Sequence, residues 1–200
     1  MKIRVTLQEE MLGTASANPD VHREFIASKS NDAERTADEL ASLPADERME
    51  KAVTVFPRDD DGTPILWDYQ VKGFIKEAVG ILIELSDKET RIGKTKLSKF
   101  THKRIVDNFV FVSPRKIRLS CATVGPICTR PLRADTMKGE RVSLASSETV
   151  PAATTFECEI TTLAPALSDM MKDCLNYGAM KGLGQWRNSG KGRFSWVEVE

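Results

Sequence analysis

The sequence predicts one α+β domain of the ferredoxin-like (RRM-like) kind, an antiparallel sheet with helices on one face, spanning residues 1–200 and carrying an inserted helical segment. Three observations predict it. The two ends of the chain, at residues 1–8 and 194–199, read as strands. Two stretches with helical spacing of apolar residues, 69–85 and 164–178, lie between strand-like segments. The resulting order of strand, helix, strands, helix, strand is that of a split βαβ core with insertions.

In residues 1–8, Ile3, Val5 and Leu7 fall on one face and Lys2, Arg4 and Thr6 on the other, the pattern of a half-buried strand. Gly13, Asn18 and Pro19 mark the turn that follows. Residues 21–51 are helix-biased, strongly charged and poor in apolar positions, with a break at Pro44, so they are expected to form a surface insertion or partner-facing arm. A short strand at 52–56 leads into the turn Asp59, Asp60, Asp61, Gly62. Asp68 is expected to N-cap the helix at 69–85, whose core face is Val71, Phe74, Ile75, Ala78, Val79, Leu82 and Ile83. Residues 86–141 form a basic loop and hairpin region: a surface loop or short helix to about 104, a strand-like run at 106–119 broken at Pro114, then an extended excursion with Gly125, Pro126 and Pro131. Further strands are expected at 141–144 and 154–163, the latter with Phe156, Cys158 and Ile160 inward and Glu157 and Glu159 outward. The helix at 164–178 carries Leu167, Met170, Met171, Cys174 and Leu175 on one side.

Net charge is +0, with 29 basic and 29 acidic residues, so no global field draws the chain to a polyanion. The charges are segregated along the sequence instead: residues 20–61 are rich in acids and residues 88–141 in bases. Cys121, Cys128, Cys158 and Cys174 show no CxxC spacing and no accompanying His cluster, so neither a zinc site nor any cofactor is expected. The alternating start lacks the pattern of a signal peptide, and no apolar run reaches membrane-spanning length; a reducing cytoplasm with free thiols is the expected setting.

Two constellations point to phosphate and base recognition. Between the last helix and the last strand lie Gly178, Gly182, Gly184, Gly190 and Gly192, interleaved with Lys181, Trp186, Arg187, Lys191 and Arg193. Glycines admit close approach of backbone N–H groups to phosphate, the cations supply charge-assisted bonds, and Trp186 offers a ring on which a base stacks. The same loop reads equally well as a connector whose glycines only turn the chain. The second constellation is Lys94, Lys96, Lys99, Lys103 and Arg104 followed by Arg115, Lys116 and Arg118, with Phe100 and His102 interleaved; it reads either as a backbone-tracking groove or as a solvated basic face. Asp59, Asp60 and Asp61 are better explained as a hydrophilic turn than as a metal site. His22 and His102 lack any nucleophile or orienting partner in sequence and are expected at the surface.

Three segments resemble the RAMP (repeat-associated mysterious protein) superfamily, and within it the backbone subunits of CRISPR effector complexes. RDDDGTPILWDYQVKGFIKEA at 58–78 is similar to the segment in which an Asp-Gly turn leads into Pro-Gly-Ser-Ser-Leu-Lys-Gly and the first helix; Gly62, Pro64, Lys72 and Gly73 match, while Trp67, Asp68 and Tyr69 replace the small residues. ETVPAATTFECEI at 148–160 resembles the Glu-x-Val-Pro-Ala-Gly-Thr-x-Phe strand entry, with Ala153 in place of glycine. GLGQWRNSGKGRF at 182–194 resembles the C-terminal glycine-rich loop. The resemblance implies an RRM-like core, RNA held along basic loops and helical assembly of copies. Family members that cut target RNA carry an Asp shortly before the Arg-Asp turn; here Ala52, Val53 and Thr54 occupy that region, so no catalytic residue is carried over.

The expected function is therefore non-catalytic binding of single-stranded nucleic acid, RNA in the first place with DNA as the alternative, by a RAMP-like subunit that joins a homo-oligomer or protein complex. The expected contacts are Lys72, Lys94, Lys96, Lys99, Lys103, Arg104, Arg115, Lys116, Arg118, Gly184, Trp186, Arg187, Gly190, Lys191, Gly192 and Arg193. The acidic helix of the insertion is expected to meet the basic patch of a neighbouring copy. Two rivals remain: an endoribonuclease of the same fold, and a virus-encoded mimic that inhibits a CRISPR complex through protein contacts.

Overall fold

The structure is a computed structural model and describes residues 1–27, 33–44, 53–86, 89–137 and 139–199. The first strand, β1 (Lys2–Leu7), is followed by the short strands β2 (Met11–Leu12) and β3 (Ala15–Ser16) and by helices α1 (Pro19–Ala27) and α2 (Ala33–Ala41). Then come β4 (Val53–Val55), β5 (Ile65–Trp67), α3 (Asp68–Leu85), β6 (Arg91–Ile92), β7 (Thr95–Lys96), α4 (His102–Phe109), β8 (Val110–Ser113) and β9 (Lys116–Arg118). The chain continues through β10 (Gly125–Thr136), β11 (Gly139–Val150), β12 (Thr155–Thr162), α5 (Ser168–Lys181) and β13 (Phe194–Val199).

The main sheet has the order β13-β1-β12-β8, with each neighbouring pair antiparallel. The alternation of β1 sends Ile3, Val5 and Leu7 to the face that meets α3 and α5, where they join Phe156, Cys158, Ile160 and Phe194. From the helices, Val71, Phe74, Ile75, Ala78 and Val79 of α3 and Met171, Cys174 and Leu175 of α5 close the core. Phe74 meets Phe194 edge-on at 5.6 Å, a contact that contributes about 0.5–1.5 kcal/mol beyond burial. Gly178 is what lets α5 sit so low on the sheet, since a Cβ there would lie 2.0 Å from Phe194 Cζ. The opposite face is polar: Lys2 and Arg4 both pair with Glu157.

A second sheet has the order β10-β11-β4-β3, with β2 also paired to β11. Its anchor is Glu148, fully buried in β11, which accepts from the Phe56 N–H (2.8 Å) and from Arg58 Nη2 (2.7 Å). Strands β10 and β11 form a long hairpin whose far part is a bare two-stranded arm: Pro131, Leu132 and Arg133 on one strand and Arg141, Val142, Ser143 and Leu144 on the other are all exposed.

Several local expectations change. Residues 106–109 belong to α4, because His102, Ile105 and Val106 form a helical face packed on the core; the strands of the 106–119 run are Val110–Ser113 and Lys116–Arg118, separated at Pro114 as expected. Residues 91–96 make a small hairpin, β6–β7, with Gly93 in the left-handed region at its turn. The N-cap of α3 is Trp67, whose N–H is taken by Gln70 Oε1 at 2.7 Å, while Asp68 is the first helical residue and accepts from the Tyr69 N–H. Helix α1 starts where Asn18 Oδ1 accepts from the N–H groups of Asp20 (2.9 Å) and Val21 (3.4 Å), with Pro19 in the first turn. The expected break at Pro44 borders residues 45–52, which lie outside the described set. Among the described residues no helix is long and apolar enough to cross a membrane.

Candidate nucleic-acid interface

At the N-terminal end of α3 the chain forms a cleft of about 800 Å³. Its lining comes from the stretch from Met11 to Ala15, the helices of the insertion, Leu66 with the first turns of α3, Asp107 of α4, Arg115, and the start of the glycine loop at Leu183, Gly184, Gln185 and Arg187. The insertion is held against the core by charge. Tyr69 Oη donates to Glu39 (3.2 Å), Arg115 Nη2 donates to the same carboxylate (2.5 Å), and Lys116 Nζ donates to Asp38 (2.8 Å). Desolvation, with the Glu39 charge adding to it, pushes the Tyr69 phenol well above its usual range, so Tyr69 is a permanent donor here. Arg115 and Lys116 also lie over the Trp67 ring, at 4.9 and 5.8 Å from its centre.

Of the expected contact residues, Lys72, Arg115, Gly184 and Arg187 line this cleft. Lys72 Nζ donates to the Asp107 carbonyl (3.0 Å) and has no carboxylate partner among the described residues; burial lowers its pKa. Arg187 pairs with Glu77 at 2.8 Å. Trp186 sits beside the cleft, 39% exposed and in the left-handed region, with Arg130 over its ring at 5.6 Å. The buried Arg130 also donates to Ser147 (3.0 Å) and to Gln185 Oε1 (2.5 Å), which ties the glycine loop to the root of the arm.

The remaining expected contacts lie elsewhere or are otherwise engaged. Lys96 and Lys99 pair with Glu89 and Glu84, the latter near the far end of α3; Lys72 and Glu84 are about 18 Å apart along the helix axis. Lys94, Lys103 and Arg104 are exposed, outside the cleft lining, and carry no ion pair with the described residues. Arg118 pairs with Asp59 and Asp61, so two carboxylates of the acidic turn are engaged by a cation. The Asp61 carboxyl is lowered to about 2, first by the Thr63 N–H, then by the Thr63 hydroxyl and Arg118. Lys191 pairs with Glu10, and Arg193 Nε donates to the Met180 carbonyl. Gly190 ends a single helical turn in the left-handed region. Gly192 is required by packing: at φ +71°, a Cβ would lie 1.9 Å from the Leu183 carbonyl oxygen.

Two expectations are corrected here. The basic segment is not a loose solvated face, because most of its cations are matched by the chain's own acids. Asp38 and Glu39 of the insertion pair within the molecule with Lys116 and Arg115. Neither histidine is at the surface. His102 is buried against Gly80, its Nδ1 bonded to the Lys99 carbonyl at 2.9 Å. His22 is 2% exposed, lines the cleft and leaves Nε2 without a partner among the described residues. The spacing of His22 and Ile26, i and i+4 on α1, is the signal that would have placed that face inward.

Burial lowers the His22 pKa below 6.5, so the unfolded chain takes up this proton first. The associated stability is present above about pH 6.5 and is lost as pH falls toward the folded value. The melting temperature is expected to drop between pH 7 and 5 in the wild type and to drop less in His22→Phe. Parallel pH profiles for the two proteins would refute this assignment.

No protein-family model matches the chain, and no curated protein matches it. Among solved structures it is similar to a chain in the cryo-EM structure of the type III-B Cmr-beta bound to cognate target RNA: 12% identity, TM-score 0.51, covering 100% of this chain and 58% of that one. It is also similar to a chain of a type IV-B CRISPR complex, with 11% identity, TM-score 0.47, and coverage of 98% and 88%. At 12% identity the likeness to the type III-B chain is one of fold, and the present chain spans a little over half of its length. That likeness agrees with the resemblance to effector-complex subunits carried by residues 58–78, 148–160 and 182–194.

Proposed function

We propose that the chain is a RAMP-like subunit that binds single-stranded RNA without cutting it, along the cleft at the start of α3. The observation that carries this reading is the convergence of Lys72, Arg115, Gly184 and Arg187 from three distant parts of the sequence on one opening. We read the four-stranded sheet as ferredoxin-like, since its order is fourth, first, third, second when β1, β8, β12 and β13 are numbered along the chain. Its open face is not the binding surface: β1 and β12 place mixed charges there, whereas Phe156, Phe194 and Trp196 turn toward the helices. The four free cysteines support work in a reducing, cytoplasmic setting.

Because the cleft cations are largely matched by acids, binding is expected to depend weakly on salt. Three phosphate contacts, from Lys72, Arg115 and Arg187, correspond to a slope of log K against log salt of about −2 for a single strand. Fluorescence anisotropy with a labelled single-stranded RNA at several salt concentrations measures it. A slope steeper than about −4 would shift the binding to the exposed Lys94, Lys103 and Arg104 side. Absence of binding at low salt would remove the proposal.

A second reading, contact with protein through the arm, has one observation in its favour. Leu132, Val142 and Leu144 are exposed on a ribbon with no core of its own. It covers both a homo-oligomeric assembly and the inhibitor alternative, and light scattering with and without RNA separates assembly from a monomeric binder.

A further inference from the structure

We infer that a strand seated in the cleft leaves it over α4 and stacks one base on Phe100, with Lys103 and Arg104 on the neighbouring phosphates; this deepens the RNA-binding reading above and rests on it. Phe100 is 95% exposed, so its ring packs against almost nothing in the molecule. The turn that carries it is nonetheless braced. The Ser98 N–H donates to Thr101 Oγ1 (2.9 Å), and the Thr101 hydroxyl donates to the Lys96 carbonyl (2.7 Å). The N–H groups of Thr101 and His102 both donate to the Ser98 carbonyl, at 3.0 and 2.9 Å. The buried Leu97 and His102 pin the two ends of the turn to the core. A lone exposed ring is ordinary on a protein surface. A ring held out in water by a fixed backbone is the form of a stacking platform, because little further ordering is needed when a base arrives.

The cations around this turn outnumber the acids that answer them. Glu89 pairs with Arg91 and Lys96, and Glu84 pairs with Lys99. Lys94, Lys103 and Arg104 are exposed and carry no ion pair with the described residues. Lys103 and Arg104 also stand in the first turn of α4, where the helix dipole disfavours positive charge, so the fold gains nothing from them there. The patch is continuous with the cleft. Asp107 lines the cleft, pairs with Lys76, and takes Lys72 Nζ on its carbonyl. Lys103 precedes Asp107 by four residues, so the two are surface neighbours about 6 Å apart along α4. The Lys99–Glu84 pair sets the start of α4 beside the end of α3, and α4 runs back from there to the cleft. The occupant that fits is a strand: discrete phosphates can pass between Glu84 and Glu89, whereas a flat anionic membrane would press against both.

The test compares the wild type with Phe100→Ala, the double variant Lys103→Gln with Arg104→Gln, and Lys72→Ala in the cleft. Thermal melts check that each variant folds. Anisotropy is read with labelled RNAs of four and twelve nucleotides, the shorter one confined to the cleft. Phe100→Ala is expected to lose about tenfold in affinity for the longer RNA and less than about twofold for the shorter one. Lys103 and Arg104 add two phosphate contacts, so the salt slope for the longer RNA is expected at about −3.5 in the wild type and about −2 in the double variant. Full retention of the longer RNA by Phe100→Ala and by the double variant would overturn this path and leave the cleft reading intact. A loss in Phe100→Ala with none in Lys72→Ala would overturn the cleft reading and the path out of it. No RNA binding by the wild type, with capture by phosphatidylcholine–phosphatidylserine vesicles that Phe100→Ala abolishes, would overturn both readings in favour of a membrane contact.

Discussion

Replacing Glu148 by Ala is expected to lower the unfolding free energy by about 3–5 kcal/mol, the cost of leaving a buried charge without its partner. Glu148 is 2% exposed, and its two oxygens serve different groups: one takes the Phe56 N–H, the other Arg58. Arg58 in turn donates to the Phe56 carbonyl at 2.6 Å. Removing the carboxylate strands a backbone donor and a guanidinium whose side chain is only 18% exposed. It also loosens the junction at which β11 meets β4, just before the Arg58–Asp61 turn. Glu148→Gln retains one acceptor and is expected to fall between the two. Urea unfolding measures the difference, and a loss below about 1 kcal/mol in Glu148→Ala would mean that water or a relaxed Arg58 replaces the carboxylate.

Replacing Trp186 by Ala is expected to cost about 1–3 kcal/mol in RNA affinity if a base stacks on the ring, roughly a five- to 150-fold loss. One face of the indole is covered by the Arg130 guanidinium, and the 39% exposure of the residue leaves surface for a ligand. The cation on the covered side is itself fixed by Ser147 and Gln185, so the ring does not depend on a ligand to be ordered. Both residues have to tolerate the left-handed backbone at this position, so the substitution leaves that term nearly unchanged. Anisotropy and thermal melts are read together. A large fall in melting temperature with unchanged affinity would make Trp186 a packing residue of the glycine loop.

The strands and helices of the core were legible because their periods are clean. The alternation of Ile3, Val5 and Leu7 and the helical spacing of Val71, Phe74, Ile75, Ala78 and Val79 each state which face is inward, and the structure buries those faces. Residues 106–109 of the helix at His102–Phe109 read as strand in sequence because Val106, Phe109 and Val110 are β-branched or aromatic, and eight helical residues are too few for period to decide. The candidate site was legible only in part. Residue type marked Lys72, Arg115, Gly184 and Arg187, but nothing in the order of residues tells which cations meet carboxylates from seventy or more positions away, as Arg115 meets Glu39 and Lys116 meets Asp38. Those pairings neutralise part of an apparent basic stripe, while Lys94, Lys103 and Arg104 carry no ion pair with the described residues. Gln185, Thr14 and Phe25 escaped notice for the same reason: each is unremarked in sequence and becomes relevant only where the loop after α5, the turn after β2 and helix α1 converge.

The arm formed by β10 and β11 has a different kind of freedom from the rest of the molecule. Beyond its root, its shape is carried by the ladder between the two strands, and Leu132, Arg133, Val142 and Leu144 answer to no interior. Most substitutions at those positions therefore leave the fold as it was. What the arm touches can change from one relative to another while the sheet, the cleft and the buried Glu148 stay fixed, so this ribbon is where specificity can drift without a penalty in folding.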